Sequence, residues 1–228
     1  MRNNYFKENG YKINKTILDD DDCDKLIKTA YSLKNRDDFS PLMHPHRKKG
    51  GEMFFEIIKK ETIINMIKNE IGKKINLLQT QFFFMPPKTP GFAPHQDDWY
   101  VRSSDYEGFI SLWIPLVDVS KKNGCLIIYE KSHKNGIFDV KVELKKDINE
   151  NIDENGTRIH CNPPQKFKRK NLLMNKGDGL LIHSRAIHSS YKNNSTNLRY
   201  AILYTFIRKG LKFNKGNSSK RVAVPINY

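Results

Sequence analysis

From Leu77 onward the chain is cut into short apolar runs. They read LLQTQFFFM, FISLWIPLVDV, GCLIIYE, DGLLIHS and RYAILYTFI, and the turn-forming pieces PPKTPG, KKNG and NKGDG stand between them. Short, β-rich runs separated by Gly, Pro and Asn pair antiparallel, so this region is expected to form an antiparallel β-sandwich or barrel. Upstream the spacing is helical. LDDDDCDKLIKTAYSLKN begins with acids, which a helix dipole favours at its N-terminus, and continues with Leu26, Ile27, Ala30, Tyr31 and Leu33 at helical intervals. GGEMFFEIIKKETIINMIKNEIGKK repeats the pattern and offers Gly72 as a stop. The expectation is one mainly β domain with flanking helices over residues 1–228. It divides into a helical flank (1–75), a β core (76–210) with a polar, lid-like insert at about 134–170, and a basic tail (211–228).

Bulk composition narrows the function classes. Hydrophobic residues make up 38% of the 228 residues, enough for a core and against disorder. No apolar run is long enough for a membrane span, and the N-terminal stretch MRNNYFKENGYKINKT has no apolar signal region. Cys23, Cys125 and Cys161 are an odd set at wide spacings, which fits a reducing compartment and a cytoplasmic location. The formal charge of +15 invites a nucleic-acid reading. The densest basic stretches, KFKRK and the tail from Arg208 to Arg221, lack the interleaved aromatics of a single-strand stacking surface. An anionic small molecule, steered by positive potential, fits better.

The stretch FAPHQDDWY holds the chemistry. His95 and Asp97 have H-x-D spacing, and on an extended segment both point to one side. One further imidazole would complete a facial set of two histidines and a carboxylate. That donor set leaves positions open for a cosubstrate and dioxygen, and non-haem Fe(II) oxygenases use it. His44 and His46 lie in a proline-rich loop with no acid beside them. His133 is expected exposed in a turn, His160 falls in the polar insert, and His183 is expected to pack beneath the site. His188 is the favoured third ligand, on a strand returning after the Gly-Asp-Gly turn. Arg199 follows at the head of an apolar strand, where an unpaired guanidinium is costly and a dicarboxylate cosubstrate would supply its partner.

QTQFFFMPP, HQDDWY, LWIPLVDVSKKNGCLIIYEKSHKNG, NKGDGLLIHSRAIHSSYKNNS and LRYAILYTF occur in an order and at separations that resemble the phytanoyl-CoA dioxygenase-like family of Fe(II)/2-oxoglutarate-dependent oxygenases. The resemblance runs from about Leu77 to Ile207. It implies a double-stranded β-helix, a cupin-like jelly roll. It also implies Fe(II) on His95, Asp97 and His188, with 2-oxoglutarate and O2 as cosubstrates and Arg199 on the far carboxylate of 2-oxoglutarate. Trp113, Gln79 and Gln81 would line the cosubstrate pocket. Asp98, Trp99 and Tyr100 follow the ligands and are expected to edge the substrate mouth. Met85 stands where many relatives carry a lysine. Asp97 is present where halogenating relatives have alanine, so hydroxylation of a small, anionic metabolite is the expected outcome. A jelly-roll scaffold with a silent metal site and a nucleic-acid-directed oxygenase are the alternatives.

Overall fold

The computed structural model describes residues 5–34, 39–144, 157–217 and 220–227. Its elements follow in chain order as α1 (Tyr5–Asn9), β1 (Tyr11–Asn14), α2 (Asp20–Ser32), β2 (Leu42–Met43), α3 (Met53–Glu56), α4 (Glu61–Ile71), β3 (Ile75–Met85), α5 (Asp97–Val101), β4 (Phe109–Pro115), β5 (Leu126–Tyr129), β6 (Val140–Leu144), β7 (Thr157–Cys161), β8 (Arg169–Leu172), β9 (Gly179–His183), β10 (His188–Ser190), β11 (Arg199–Arg208) and β12 (Val224–Pro225). The large sheet runs β1-β9-β4-β11-β3-β12, with β2 also paired to β3, and the small sheet runs β10-β5-β8. Every pairing among these strands is antiparallel. The region expected to be a helical flank thus contributes two strands, β1 and β2, as well as helices.

Alternation along β11 explains the layering. Ile202, Tyr204 and Phe206 face outward and pack with Phe82, Phe84, Ile110, Leu112 and Ile114 against the helices. Arg199, Ala201, Leu203 and Thr205 take the opposite face, because side chains alternate along a strand. Ala201, Trp113, Leu180 and Ile182 on that inner face meet Leu126, Ile128 and Leu172 of the small sheet. The outer layer is sealed by α2 and α4. Asp19 caps α2 in a reciprocal box with Asp22, and Cys23, Leu26 and Ala30 recur on the buried side. α4 buries Ile63, Ile64, Ile67 and Ile71 and stops at Gly72, whose φ of 97° suits a residue without a Cβ. β3 is bulged at Leu78, where its register with β11 shifts between Thr205 and Phe206.

The insert is not structureless at its ends. β6 and β7 pair as a hairpin, and the middle of the expected lid (145–156) lies outside the described residues. Nor is the tail a loose basic arm, since β12 pairs with Leu77 and Asn76 of β3. His133, expected exposed, is buried. It stacks against His183 with ring centroids 4.8 Å apart, and burial followed by the charge of His133 pushes the His183 pKa down to about 3. No helix among the described residues is long and apolar enough to cross a membrane.

Asp178 of the Gly-Asp-Gly turn ties β1 onto the sheet. Its carboxylate accepts from Lys15 Nζ at 2.7 Å, Thr16 N at 3.0 Å and Asn175 N at 3.0 Å. Burial raises its pKa, and these three donors outweigh burial and leave it lowered. A depressed carboxyl pKa contributes stability that is present above the ordinary carboxylate range and is lost as pH falls through it. Asp178→Ala is therefore expected to cost about 1–3 kcal/mol at neutral pH. Urea melts should show the gap between variant and wild type closing below about pH 4, and a gap independent of pH would remove the charge from the explanation.

Candidate metal centre

Two remote segments meet through a backbone bridge. His95 N donates to His188 O, and His188 N donates to His95 O, each at 3.0 Å. Directly opposed residues in such a bridge project to the same face, so the two imidazoles lie together with ring centroids 4.2 Å apart. His188 also pairs with Ile128 of β5, which faces the space between the sheets. Close approach makes this local geometry possible: a Cβ on Gly91 would collide with the Ser190 carbonyl, and Ser190 Oγ accepts from Phe92 N at 2.8 Å.

Asp97 departs from the expected extended H-x-D pair. It is the first residue of α5, and the helical turn rather than strand alternation aims its carboxylate at the imidazoles. Oδ1 lies 3.8 Å from His95 Nε2 and 3.6 Å from His188 Nε2. Oδ2 accepts from Ser111 Oγ at 2.6 Å. The three donor atoms all lie within 4.8 Å of one another, the one such cluster found among the described residues.

The tautomers follow from the backbone. His95 Nδ1 is 2.7 Å from Ala93 O, and His188 Nδ1 is 3.1 Å from Ala186 O. A carbonyl can only accept, so each Nδ1 carries the proton and each Nε2 presents a lone pair toward Asp97. Burial, then the neighbouring His188, pushes the His95 pKa down to about 4, which keeps its ring neutral. Neutral imidazoles oriented by second hydrogen bonds, beside a hydroxyl-held carboxylate, have the character of a divalent-metal site.

Arg199 opens β11 as expected and is 1% exposed. Nη1 donates to Gly124 O at 3.1 Å, and Gly124 takes the φ of 95° that brings its carbonyl there. Nε is buried with no partner. The guanidinium lies 5.6 Å from the Trp113 ring, and burial pushes its pKa down to about 10. On β4 the next inward residue before Trp113 is Ser111, which holds Asp97. Ser111, Trp113 and Arg199 therefore share the inner face, with the donor cluster at one end and a buried cation with an unpartnered Nε at the other. A small dicarboxylate would suit the two ends chemically, one end on a metal and the other on Arg199.

The remaining expected residues divide. Gln79 and Gln81 share the inward face, as residues two apart on a strand must, since they pair with Thr205 and Leu203. Gln81 Nε2 lies 3.2 Å from Met43 Sδ, whereas Gln79 Oε1 accepts from Arg221 Nε at 2.7 Å. Met85 is buried opposite Arg199, and its carbonyl accepts from Asn193 Nδ2. Tyr100 approaches the His95 ring at 6.1 Å and stacks edge-on with Trp99 at 5.4 Å, and both are half-buried at the rim. Asp98 does not edge the mouth. It is 1% exposed and accepts from Arg185 Nε at 2.9 Å and Ser103 N at 3.1 Å, so it anchors α5. A buried carboxylate needs those donors, and they turn it away from any substrate. His183 lies on the outer face of the sheet rather than beneath the site, opposite Ile110. His44 and His46 stack with each other at 5.8 Å, away from any acid cluster, and His160 sits in β7.

Sequence reading missed Ser111 and Gln96 beside the donors, and the bond by which Arg221 reaches Gln79. Ser111 had a signal: it is a lone hydroxyl in an apolar strand at the same parity as Trp113. Gln96, between the two donors, donates to Gly136 O and Arg185 O and accepts from Phe138 N. It thereby fastens the start of the insert beside the site. Arg221 gave no signal beyond its place in a basic tail.

The chain is similar to known proteins along most of its length. The family model described as phytanoyl-CoA dioxygenase (PhyH) matches residues 6–201. Phytanoyl-CoA dioxygenase 1 of Oryza sativa subsp. japonica is 31% identical over 156 residues, covering 67% of this chain and 52% of that protein. The chain thus spans about half the length of that protein and of the phytanoyl-CoA dioxygenase of Arabidopsis thaliana. Among solved structures, the epimerase SnoN in complex with Fe3+, alpha ketoglutarate and nogalamycin RO superposes with a TM-score of 0.74 at 16% identity, covering 98% of this chain and 93% of that one. The non-haem alpha ketoglutarate dependent carbocyclase SnoK gives 0.72 at 15% identity, with coverages of 94% and 86%. These likenesses show the jelly-roll fold.

Removing the Ser111 hydroxyl leaves Asp97 free to rotate. Ser111→Ala is expected to weaken Fe(II) binding about 10–100-fold while leaving the melting temperature nearly unchanged. Anaerobic metal titration would measure it, and an unchanged affinity would mean that Asp97 is held by packing alone.

Proposed function

Because the chain belongs to the phytanoyl-CoA dioxygenase family, we propose that it is an Fe(II)/2-oxoglutarate-dependent dioxygenase that hydroxylates a C–H bond of a small, anionic metabolite and releases succinate and CO2. The observation that carries the reading is the joint arrangement of His95, Asp97 and His188 within 4.8 Å of one another and Arg199 buried beside Trp113 on the same inner face. A scaffold with a silent site would have no use for a buried guanidinium whose Nε lacks a partner.

His95 and His188 would hold the ferrous ion through Nε2, and Asp97 through Oδ1. When bound, iron with 2-oxoglutarate and dioxygen supplies an oxidant able to cleave a C–H bond. The chain's own share is binding, orientation and dryness. Ala93 O and Ala186 O fix the two imidazole tautomers, and Ser111 fixes the carboxylate rotamer. Arg199 would take the far carboxylate of 2-oxoglutarate and so set which end of the molecule meets the metal. Trp113 stands beside Arg199, and Leu126, Ala201 and Leu180 keep water from that inner face. No residue acts as a proton-transfer group or nucleophile in this scheme. The excess of basic residues steers an anionic substrate. The three cysteines are free and buried, which fits the cytoplasm as the compartment, with a small molecule rather than nucleic acid as the partner.

Wild type given Fe(II), 2-oxoglutarate and oxygen is expected to release succinate, and Asp97→Ala to lose more than the ~100-fold that an outer partner can cost. Equal turnover of the two proteins would end the proposal. Arg199→Met is expected to weaken 2-oxoglutarate by about 1.5–3 kcal/mol, the worth of charge-assisted hydrogen bonds, with Fe(II) affinity retained. In thermal melts 2-oxoglutarate should raise the melting temperature of wild type and not of the variant. Loss of iron binding in Arg199→Met would make the arginine structural.

A further inference from the structure

A cavity of about 290 Å³ opens on the outer side of the large sheet, where β9 ends at His183. None of His95, Asp97, His188 and Arg199 lines it, so it is separate from the donor cluster. Buried His183 and His133 form its floor, and the exposed Lys7, Tyr106, Glu107 and Lys134 form its rim. Arg185, half-buried, stands between floor and rim. Three of these side chains are cations and one, Glu107, is an acid. Lys134 Nζ is paired with Glu8 Oε2 at 2.7 Å, outside the cavity wall.

The floor holds a donor with nothing to bond. Arg185 N donates to His183 Nδ1 at 3.1 Å, so Nδ1 holds the lone pair and Nε2 carries the proton. Burial pushes the His183 pKa down to about 3, which keeps the ring neutral. Nε2 is buried without a hydrogen-bond partner. Glu107 Oε1 stands 3.6 Å from it, too far to accept, on a side chain that is 58% exposed. A nitrogen that carries its proton cannot ligate a metal, so the unmet group calls for an acceptor. His133 is committed elsewhere. Its Nε2 donates to Lys7 O at 2.9 Å, and a Cβ on Gly10 would fall 2.5 Å from its Nδ1.

Arg185 is already oriented. Its Nε donates to Asp98 Oδ2 at 2.9 Å, its guanidinium lies 3.7 Å from the centre of the Tyr106 ring, and its carbonyl accepts from Gln96 Nε2 at 2.6 Å. The bond to Asp98 uses Nε and leaves the two Nη nitrogens, the forked end of the group, without a hydrogen-bond partner among the described residues. We propose that this cavity is a binding site for a small oxyanion, a carboxylate or phosphate group, held by the Nη nitrogens of Arg185 and the Nε2–H of His183, with Lys7 at the rim. The fork of arginine suits a planar or tetrahedral oxyanion bound through two oxygens, and a fork fixed in advance by Asp98 and Tyr106 loses little freedom on binding. Ligand cavities span about 300–1,000 Å³, and this one lies at the small end, with room for the anion and a body the size of one ring. Glu107 competes with such a ligand for the same donors. The site goes beyond the oxygenase reading and does not rest on it.

Calorimetric titration of the full chain at fixed ionic strength tests this with phenyl phosphate, benzoate and phenol as probes. Wild type is expected to bind at least one of the two anions about tenfold or more tightly than phenol, the gap that one charge-assisted pair supplies. The stronger of the two identifies the headgroup. Lys7→Glu, which reverses a charge at the rim, should weaken the anion about fivefold. Arg185→Lys keeps a cation for Asp98 but loses the fork, and should weaken it about fivefold as well. Glu107→Gln removes the competing carboxylate and should strengthen binding about threefold. Arg199→Met should leave the affinity within about twofold of wild type, because Arg199 faces the inner side of the sheet. Lys7 and Glu107 are exposed, so their variants carry the test if Arg185→Lys does not fold. No preference for either anion in wild type overturns the assignment. So does an affinity unchanged in both Lys7→Glu and Glu107→Gln. A loss of anion binding in Arg199→Met also overturns it, since the probe would then occupy the inner face.

Discussion

The pair of backbone hydrogen bonds between His95 and His188 joins a loop that leaves β3 to a strand of the opposite sheet. Because opposed residues of an antiparallel bridge share a face, this one contact decides that both imidazoles enter the same space. Everything chemical follows from it. The turn into α5 brings Asp97 to the pair, and Ser111 reaches up from the large sheet to hold it. The bridge also explains the glycine at position 91 and the hydroxyl of Ser190, since the loop must run against β10 for the bridge to close. Three residues that sequence separates into two groups become one site through main-chain geometry alone.

Buried charge is treated in different ways in this molecule, and the difference locates function. Asp98 is buried against Arg185, and Asp178 against Lys15 and two backbone amides, so each is fully occupied by the protein itself. Arg199 is equally buried but receives one carbonyl and leaves Nε without a partner. A folded chain tolerates such an orphan where a ligand completes it, because leaving a buried donor unmade costs more than making it gains. His183 Nε2 and His133 Nδ1 are likewise buried without a partner, but these rings lie tilted against each other on the outer side of the sheet, away from the donor cluster. Burial, the largest influence on each, pushes both pKa values down.

The β core, the helices before it, the donor triad and Arg199 were legible in the sequence because each leaves a periodic or spacing signal. RYAILYTFI put Arg199 at the head of an apolar strand, and the structure places it at the first position of β11. Asp98 was misread because a second acid after a ligand looks like a rim residue, and its partner Arg185 is far along the chain. Exposure of His133 was misjudged for the same reason, since the α1 residues that cover it are remote in sequence. The contacts of Gln96 and Arg221 left no trace, because they depend on where the insert and the tail return, and neither segment carries a strong hydrophobic period to announce its path.

That division bears on how one metal set serves different reactions. The superposed neighbours include an epimerase and a carbocyclase, so the fold does not by itself fix the outcome. Around the donor cluster of this chain stand α5, the insert fastened by Gln96 and the tail laid along the end of α5. The insert and α5 rest on polar contacts and small apolar clusters, while the tail also sends Ile226 into the main core. They can change without unfolding the barrel, because the sheet's inner layer of Trp113, Leu180 and Leu126 holds independently of them. These outer segments can therefore vary while the donor cluster and Arg199 stay in place.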